Sequence, residues 1–351
     1  MLALQTFLGH ESTLTVGLEK SEPRWCLMNS EILGDRYQLV RMIGSGGMGA
    51  VYEGVDLATE RRVAIKLLRD SAGVYETNAA ELLSRLKREA RVMRALDTPH
   101  VVRVLDAGMH PKTGAPFLVL ELLEGEDLER TIDRLGPLPP PLALKVVAQA
   151  CLGLQAAHAA GVVHRDIKPA NLFLERRGGE ITVKLLDFGI AKLQRAPSVE
   201  QTRSLTDSGI ILGSMYYLSP DQVRSTKRSD HRADIWSLGA VLYCALTGCD
   251  PHAEIKVFVR LIAALCTQPP LPVHQIAPWV PAEAARIVEV AMAIDPTQRF
   301  QSALEVLDAL RPLLPDGFAL REEMLSPQCF PSSIYTTAYS RTQRMISPPT
   351  V

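Results

Sequence analysis

Apolar residues change period partway along this chain. From Tyr37 to about Leu120 they alternate as in β-strands, with one strong helical stretch; from about Asp127 to Leu310 they recur as in helices, with one strand–turn–strand in the middle. A chain with this order folds as a small β-rich lobe followed by a larger α-rich lobe, and a lobe junction is a common place for a ligand. The expected limits are 35–122 and 123–312. Residues 1–34 carry no sustained period and read as a poorly ordered N-terminal extension, with Met28 a natural alternative start. Residues 313–351 are rich in Pro, Ser and Thr and read as a loosely docked or disordered tail.

With 351 residues, 47% of them hydrophobic, the chain can bury a sizeable core. Charged residues make up 22% and the formal net charge is -1, so nothing suggests a nucleic-acid or membrane-surface partner. The six cysteines are scattered without a CxxC pair, as expected of reduced thiols in a cytoplasmic protein. The best candidate for a membrane span, Leu142 to Val163, is interrupted by Lys145, Gln149, Gln155 and His158 and reads as no span. No signal-peptide pattern and no internal repeat is found.

Three stretches carry chemistry. The first is "IGSGGMGAVYEG", with Gly44, Gly46 and Gly49 in GxGxxG spacing. Alone that spacing also fits a flexible turn or a dinucleotide-binding turn, which needs a helix straight afterwards. Here Val51, Tyr52 and Val55 alternate instead, and "RVAIKLL" alternates again after "ATER". The loop is therefore the tip of a hairpin, whose backbone N–H groups can lie close over phosphates.

The second pairs a cation with an acid. Strand period puts Ala64, Lys66 and Leu68 on one face, with small Ala64 leaving room for a flat ligand. The following helix has a stripe of Leu82, Leu86, Glu89, Met93 and Leu96, with Glu89 in its middle. A carboxylate there is costly unless paired, and Lys66 is the expected partner; the alternative is a solvated Glu89 at the stripe's edge.

The third is "NLFLERRGGEITVKLLDFG", read as a strand from Leu172 to Glu175, a turn at "RRGG", and a return strand from Ile181 to Leu186. A midpoint near Gly179 sets Asn171 opposite Asp187 at the open end, a pair of oxygen ligands suited to a hard divalent cation that also binds phosphate. Asp166, in the "HRDIKPAN" loop leading to the same end, is left to act on a proton, and Lys168 to face a negative transferring group.

Taken with "SPD", "DIWSLG" and "DPTQRF", these stretches fall in the order and spacing of protein kinases, and most resemble the bacterial eukaryotic-like (Hanks-type) Ser/Thr kinases over roughly residues 36–311. The resemblance implies an α+β, two-lobed kinase fold and a Ser/Thr protein kinase using ATP and Mg²⁺ on protein substrates. It implies that Gly44, Gly46 and Gly49 cover the ATP phosphates, with Ile43, Ser45, Gly47 and Met48 also in the nucleotide site, that Lys66 paired with Glu89 binds the α- and β-phosphates, and that Asn171 and Asp187 bind Mg²⁺. Asp166 would orient the substrate hydroxyl, and Lys168 neutralise the γ-phosphate. Past gatekeeper Leu120, backbone groups of Glu121 and Leu123 would read adenine. Val51, Ala64 and Phe173 would sandwich the ring, and Asp127 would reach the ribose. Arg165 would meet a phosphate on an activation segment autophosphorylated at Thr206 or Ser208, with input from a regulatory partner or self-association.

Two departures stand out. Ser214 stands where the family usually has Thr, and keeps the hydroxyl. Asp221 stands where the family usually has a Glu paired with a buried Arg, here Arg299; one methylene shorter, it is expected to give a looser or water-mediated pair. Asp234 is expected to cap backbone N–H groups of the catalytic loop.

Overall fold

Alternation in the first third becomes an antiparallel sheet of β1 (Ile32–Leu33), β2 (Tyr37–Gly46), β3 (Gly49–Asp56), β4 (Arg61–Leu68), β5 (Val104–Met109) and β6 (Pro116–Glu121), in the order β1-β2-β3-β4-β6-β5. The computed structural model describes residues 31–46, 49–68, 79–188, 210–224 and 229–326. Asp56 closes the β3–β4 turn by accepting from Arg36 (2.8 and 2.9 Å), the Ala58 amide (3.1 Å) and the Thr59 hydroxyl (2.9 Å). The sheet is buried on both faces. Val63, Ile65 and Leu67 pack with Leu33, Leu39, Tyr52 and Phe117 in one core, while Ala64 and Leu68 face the other way, toward the core shared with the helices. Lys66 thus lies on the Ala64 face, as the period of two requires.

Helix α1 (Ala79–Arg94) covers that second face. Of its expected stripe, Leu86 and Met93 are buried and Glu89 half-buried; Leu96 lies beyond the helix end, and the Leu82 side chain lies outside the described residues. The expected β-to-α switch falls between Glu121 and Leu128. Past it come the short strand β7 (Gly125–Asp127), α2 (Leu128–Leu135) and α3 (Pro140–Ala159), then the hairpin of β8 (Leu172–Arg177) and β9 (Glu180–Leu185). Seven helices follow among the described residues: α4 (Ile210–Met215), α5 (Pro220–Arg224), α6 (Arg232–Thr247), α7 (Phe258–Thr267), α8 (Val273–Ile276), α9 (Ala282–Ala291) and α10 (Ala303–Leu310).

Helix α3 is long and apolar enough for a bilayer on length and hydropathy alone, contrary to the reading of that stretch as too interrupted. Most of it is buried, its Ala143, Val147 and Leu154 packing in one core with Ile235, Trp236 and Leu242 of α6. Gly239 sits mid-helix in α6 because a Cβ there would stand 2.7 Å from the Ala291 Cβ of α9.

Three expectations need correction. Strand β8 runs two residues further than expected, β9 lies one residue earlier, and the two turn on Gly178 and Gly179 alone, both at positive φ. Leu172 pairs with Leu185, so Asn171 faces Leu186, and Asp187 stands one residue further on than the expected register. The N-terminal extension ends earlier: β1 is part of the sheet, Leu33 is fully buried, and Glu31 is ion-paired with Lys112 (2.9 Å) and lies 3.3 Å from His110 Nε2. At the other end, the chain past 312 does not leave the domain directly. Strand β10 (Leu320–Arg321) pairs antiparallel with β9, giving a second sheet β10-β9-β8-β7. Residues 1–30 and 327–351, the rest of the two expected tails, lie outside the described residues.

Candidate active site

Strand pairing of β2 with β3 carries the glycine loop into a hairpin, with Gly44 opposite Val51 and Gly46 opposite Gly49; Gly47 and Met48 lie outside the described residues. The three motif glycines differ in their reasons. Gly49 has φ +144°, and a Cβ there would stand 1.9 Å from the Leu67 carbonyl oxygen. Gly44 and Gly46 would meet nothing within 4 Å. Protein packing therefore does not demand glycine at these two, whereas close approach by a phosphate would. Ile43 and Ser45 extend the same strand, and Val51 pairs with Lys66 across β3 and β4.

Lys66 is 5% exposed, and its Nζ donates to Asp187 Oδ2 at 2.5 Å. Asp187, not expected beside Lys66, is thus an ion-pair partner of this cation. An ammonium so withdrawn from water takes the carboxylate nearest to it, and Asp187 is brought there by the segment leaving β9. Glu89 lines a small cavity with Asp187, Phe188, Leu86, Met93 and Leu120, so the acid, the cation and Asp187 share one neighbourhood.

Below the cleft, Asp166 Oδ2 accepts from Asn171 Nδ2 (3.0 Å) and stands 3.1 Å from Lys168 Nζ. Asn171 Nδ2 also donates to the Asp166 carbonyl at 2.6 Å. With both amide hydrogens used, the Asn171 side-chain oxygen is left as an acceptor, the donor type a hard cation needs. Lys168 Nζ donates onward to Ser214 Oγ at 3.1 Å, so the hydroxyl retained at that position reaches the catalytic loop.

One buried acid organises this loop. Asp234, 0% exposed, accepts from the His164 amide (2.8 Å), the Arg165 amide (2.7 Å) and His158 Nε2 (2.8 Å). It holds Arg165 at φ +69°, and Gln222 Nε2 donates to the Arg165 carbonyl at 2.8 Å. Among the described residues, Arg165 Nε is buried without a hydrogen-bond partner. Thr206 and Ser208 lie outside the described residues. Sequence reasoning gave His164 no role, yet it joins the two halves of the site. Its Nε2 lies 2.6 Å from the Leu186 carbonyl, its Nδ1 accepts from the Asp166 amide at 3.3 Å, and its ring stands 4.3 Å from Phe188. Its place in "HRDIKPAN" was the available signal.

At the lobe junction, Ala64 lies opposite Leu120 on β6, and Phe173 lies opposite Asp127. Leu123 packs against the core. Asp127 caps α2, its Oδ1 accepting from the Arg130 amide at 2.8 Å. The side chain of Glu121 accepts from the Arg103 amide (2.9 Å) and from Lys184 Nζ (2.7 Å). Lys184, also missed, is a buried cation in an apolar return strand. Burial pushes the His100 imidazole below its ordinary pKa, opposed by its contact with the Val183 carbonyl at 3.0 Å. Burial, followed by the carboxylates of Asp127, Asp133 and Asp250, pushes the Glu129 carboxyl up, with Lys168 opposing.

The Asp221–Arg299 pair differs from expectation. It is direct and bidentate, at 2.7 and 3.1 Å, and the guanidinium is fully buried. The shorter acid is offset because Arg299 is also held by the carbonyls of Ala293 (2.7 Å), Arg232 (3.1 Å) and Ile294 (3.1 Å).

A sequence profile described as Protein kinase domain matches residues 37–309. The serine/threonine-protein kinase Pkn1 of Myxococcus xanthus is 37% identical over 276 residues, covering 78% of this chain and 38% of the relative. A probable serine/threonine-protein kinase of Corynebacterium efficiens, CE0033, is 35% identical over 280 residues, covering 78% of this chain and 41% of the relative. This chain thus spans about two fifths of the length of these curated relatives. Among solved structures, the PknI kinase domain of Mycobacterium tuberculosis is 26% identical with a TM-score of 0.61, covering 82% of this chain and 99% of that one. The two lobes, the junction between them and the ordered motifs agree with these likenesses, and the chain belongs to the protein kinase family, among the bacterial Hanks-type Ser/Thr kinases.

Proposed function

We propose that this chain transfers the γ-phosphoryl group of ATP to Ser and Thr hydroxyls of proteins. The observation that carries this reading is the single hydrogen-bonded unit of Asp166, Lys168, Asn171 and Ser214, bound through His164 to the segment bearing Asp187, which touches Lys66. Phosphoryl transfer asks the protein mainly to position groups and spread charge. Asp166 orients the acceptor hydroxyl and takes up its proton. Lys168 stands 3.1 Å from that carboxylate, where it can neutralise the moving phosphoryl group. Lys66 holds the α- and β-phosphates. Asn171 and Asp187 fit a divalent cation by donor type and would hold Mg²⁺, which supplies charge neutralisation on the phosphates. Val51, Ala64 and Phe173 enclose adenine, and the backbone at Glu121 and Leu123 reads its edge.

Regulation follows from Arg165. Its backbone is clamped at both ends, and its Nε is buried without a hydrogen-bond partner among the described residues. A phosphate on Thr206 or Ser208 adds about -1.5 to -2 charges and would give that guanidinium a charge-assisted partner. Partners are therefore protein substrates and either a regulatory protein or a second copy. The described cysteines, Cys151, Cys244, Cys249 and Cys266, are free thiols, which supports a cytoplasmic setting. Transfer of radiolabel from ATP to a protein acceptor, with Asp166→Asn as control, tests the reading: equal transfer by both proteins overturns it.

A further inference from the structure

The outer edge of β9 is closed piece by piece. Its outward-facing groups belong to Ile181, Val183 and Leu185, with Gly179 just before the strand. The Leu185 amide donates to the His100 carbonyl (2.9 Å), and the Val102 amide donates to the Leu185 carbonyl (3.0 Å). The Val183 carbonyl faces His100 Nδ1 at 3.0 Å, and the Val183 amide donates to Gln149 Oε1 at 2.8 Å. What remains is taken by a segment past the end of the matched kinase region. Leu320 stands opposite Ile181, and the Glu322 amide donates to the Gly179 carbonyl at 3.0 Å.

This segment is anchored from two sides. Leu314, Leu320 and Leu325 are buried at 5, 2 and 4% exposure. On α3, a mostly apolar helix, two buried polar side chains one turn apart point at its carbonyls: Lys145 Nζ to Ala319 at 3.0 Å and Gln149 Nε2 to Phe318 at 2.9 Å. Gln149 is the coupling element. Donating to the strap with its nitrogen fixes the amide so that its oxygen faces the Val183 amide, four residues before Asp187.

We propose that residues 314–326 are a working part of the catalytic domain: a strap that seals the free edge of β9 and fixes the hairpin leading to Asn171 and Asp187, with Lys145 and Gln149 as its positioning residues. The claim rests on the reading of Asn171 and Asp187 as cation ligands. A hairpin released at this edge spends part of its time with Asp187 displaced, and the apparent affinity for the cation falls by the fraction of time it is competent. Saturating cation restores the rate, so the effect falls on the half-saturating concentration and spares kcat.

The test uses full-length protein carrying Lys145→Met or Leu320→Asn, which disturb the strap from opposite sides. Lys145→Met keeps α3 apolar and well filled. Hydrogen exchange followed by mass spectrometry should show the amides of 180–186 exchanging at least about tenfold faster than in wild type, with β3 and β4 unchanged. The Mg²⁺ concentration for half-maximal phosphoryl transfer should rise about 3- to 10-fold with kcat within about twofold, and Lys145→Arg should restore both readings. Unchanged exchange over 180–186 in both variants overturns the strap. So does a fall in kcat that tracks a lowered melting temperature without a Mg²⁺ effect. Asp187→Asn separates the two claims: if it keeps phosphoryl transfer, the cation-ligand reading fails, and hydrogen exchange alone then decides the strap.

Discussion

Lys66 shows what one residue's setting implies. A cation that is 5% exposed, 2.5 Å from one carboxylate and on the same strand face as a small residue serves a ligand more than the core. Lys66→Met keeps the length and removes the charge, so phosphoryl transfer should fall about 10²-fold or more while the melting temperature stays within a few degrees. Near wild-type turnover would sink the assignment. Its face was legible because a strand has a period of two. Its contact with Asp187 was not, because the two are 121 residues apart and the approach depends on the segment leaving β9. His100 makes a second prediction. Its pKa is lowered in the folded protein, chiefly by burial, so the unfolded chain takes up a proton first as pH falls. The neutral ring's contribution is intact above about pH 6.5 and is lost progressively below it, at pH values where carboxylates have yet to titrate. Denaturant midpoints measured from pH 8 to 5.5 should decline in the wild type and decline less in His100→Asn; identical slopes would refute the assignment.

At the scale of elements, long-range closeness is set by residues that look unremarkable in sequence. A Cβ on Gly153 of α3 would stand 2.6 Å from the His100 carbonyl and 2.9 Å from Leu185 Cδ1. That glycine lets the connector before β5 pass close to α3 and bond to β9. Gly153→Ala should cost about 1–3 kcal/mol by overpacking, read as a lowered denaturation midpoint, even though alanine is the better helix former. A stabilised variant would show that the connector yields freely. Arg299 gives the converse case. Asp221→Ala leaves a fully buried guanidinium without its acid and should cost about 3–5 kcal/mol, whereas Asp221→Glu should stay close to wild type. The hairpin's turn was legible from its two glycines, but its register was not fixed to one residue. Strand β10 left almost no trace, since two residues carry no period; only Lys145 and Gln149 in an apolar helix hinted that something polar docks there.

For the whole molecule, the lobes and the motif order were legible because each rests on many residues agreeing. The ends were not, because an end is held by a few specific contacts. At the N-terminal side the first such contacts among the described residues are those of Glu31. Its carboxylate, 7% exposed, faces Lys112 at 2.9 Å and His110 at 3.3 Å, and its carbonyl accepts from the Leu39 amide at 2.9 Å. His110 Nδ1 lies 3.2 and 3.3 Å from the Lys112 and Thr113 amides, so the ring accepts there and its Nε2 lies against the Glu31 carboxylate. Two deletions should therefore part company. Removing residues 1–27 leaves every one of these contacts, and ATP turnover and melting temperature should match the full chain. Removing residues 1–35 takes away Glu31 and the fully buried Leu33, leaving a 2% exposed histidine without its acid and opening the edge of β2. The lost leucine costs about 1.5–3 kcal/mol, and the Glu31–Lys112 ion pair goes with it. The shorter protein should melt lower by several degrees or more, with increased hydrogen exchange in β2 and in the His110–Ala115 turn. Equal melting of the two truncations would show that Glu31 and β1 lie on the fold without supporting it.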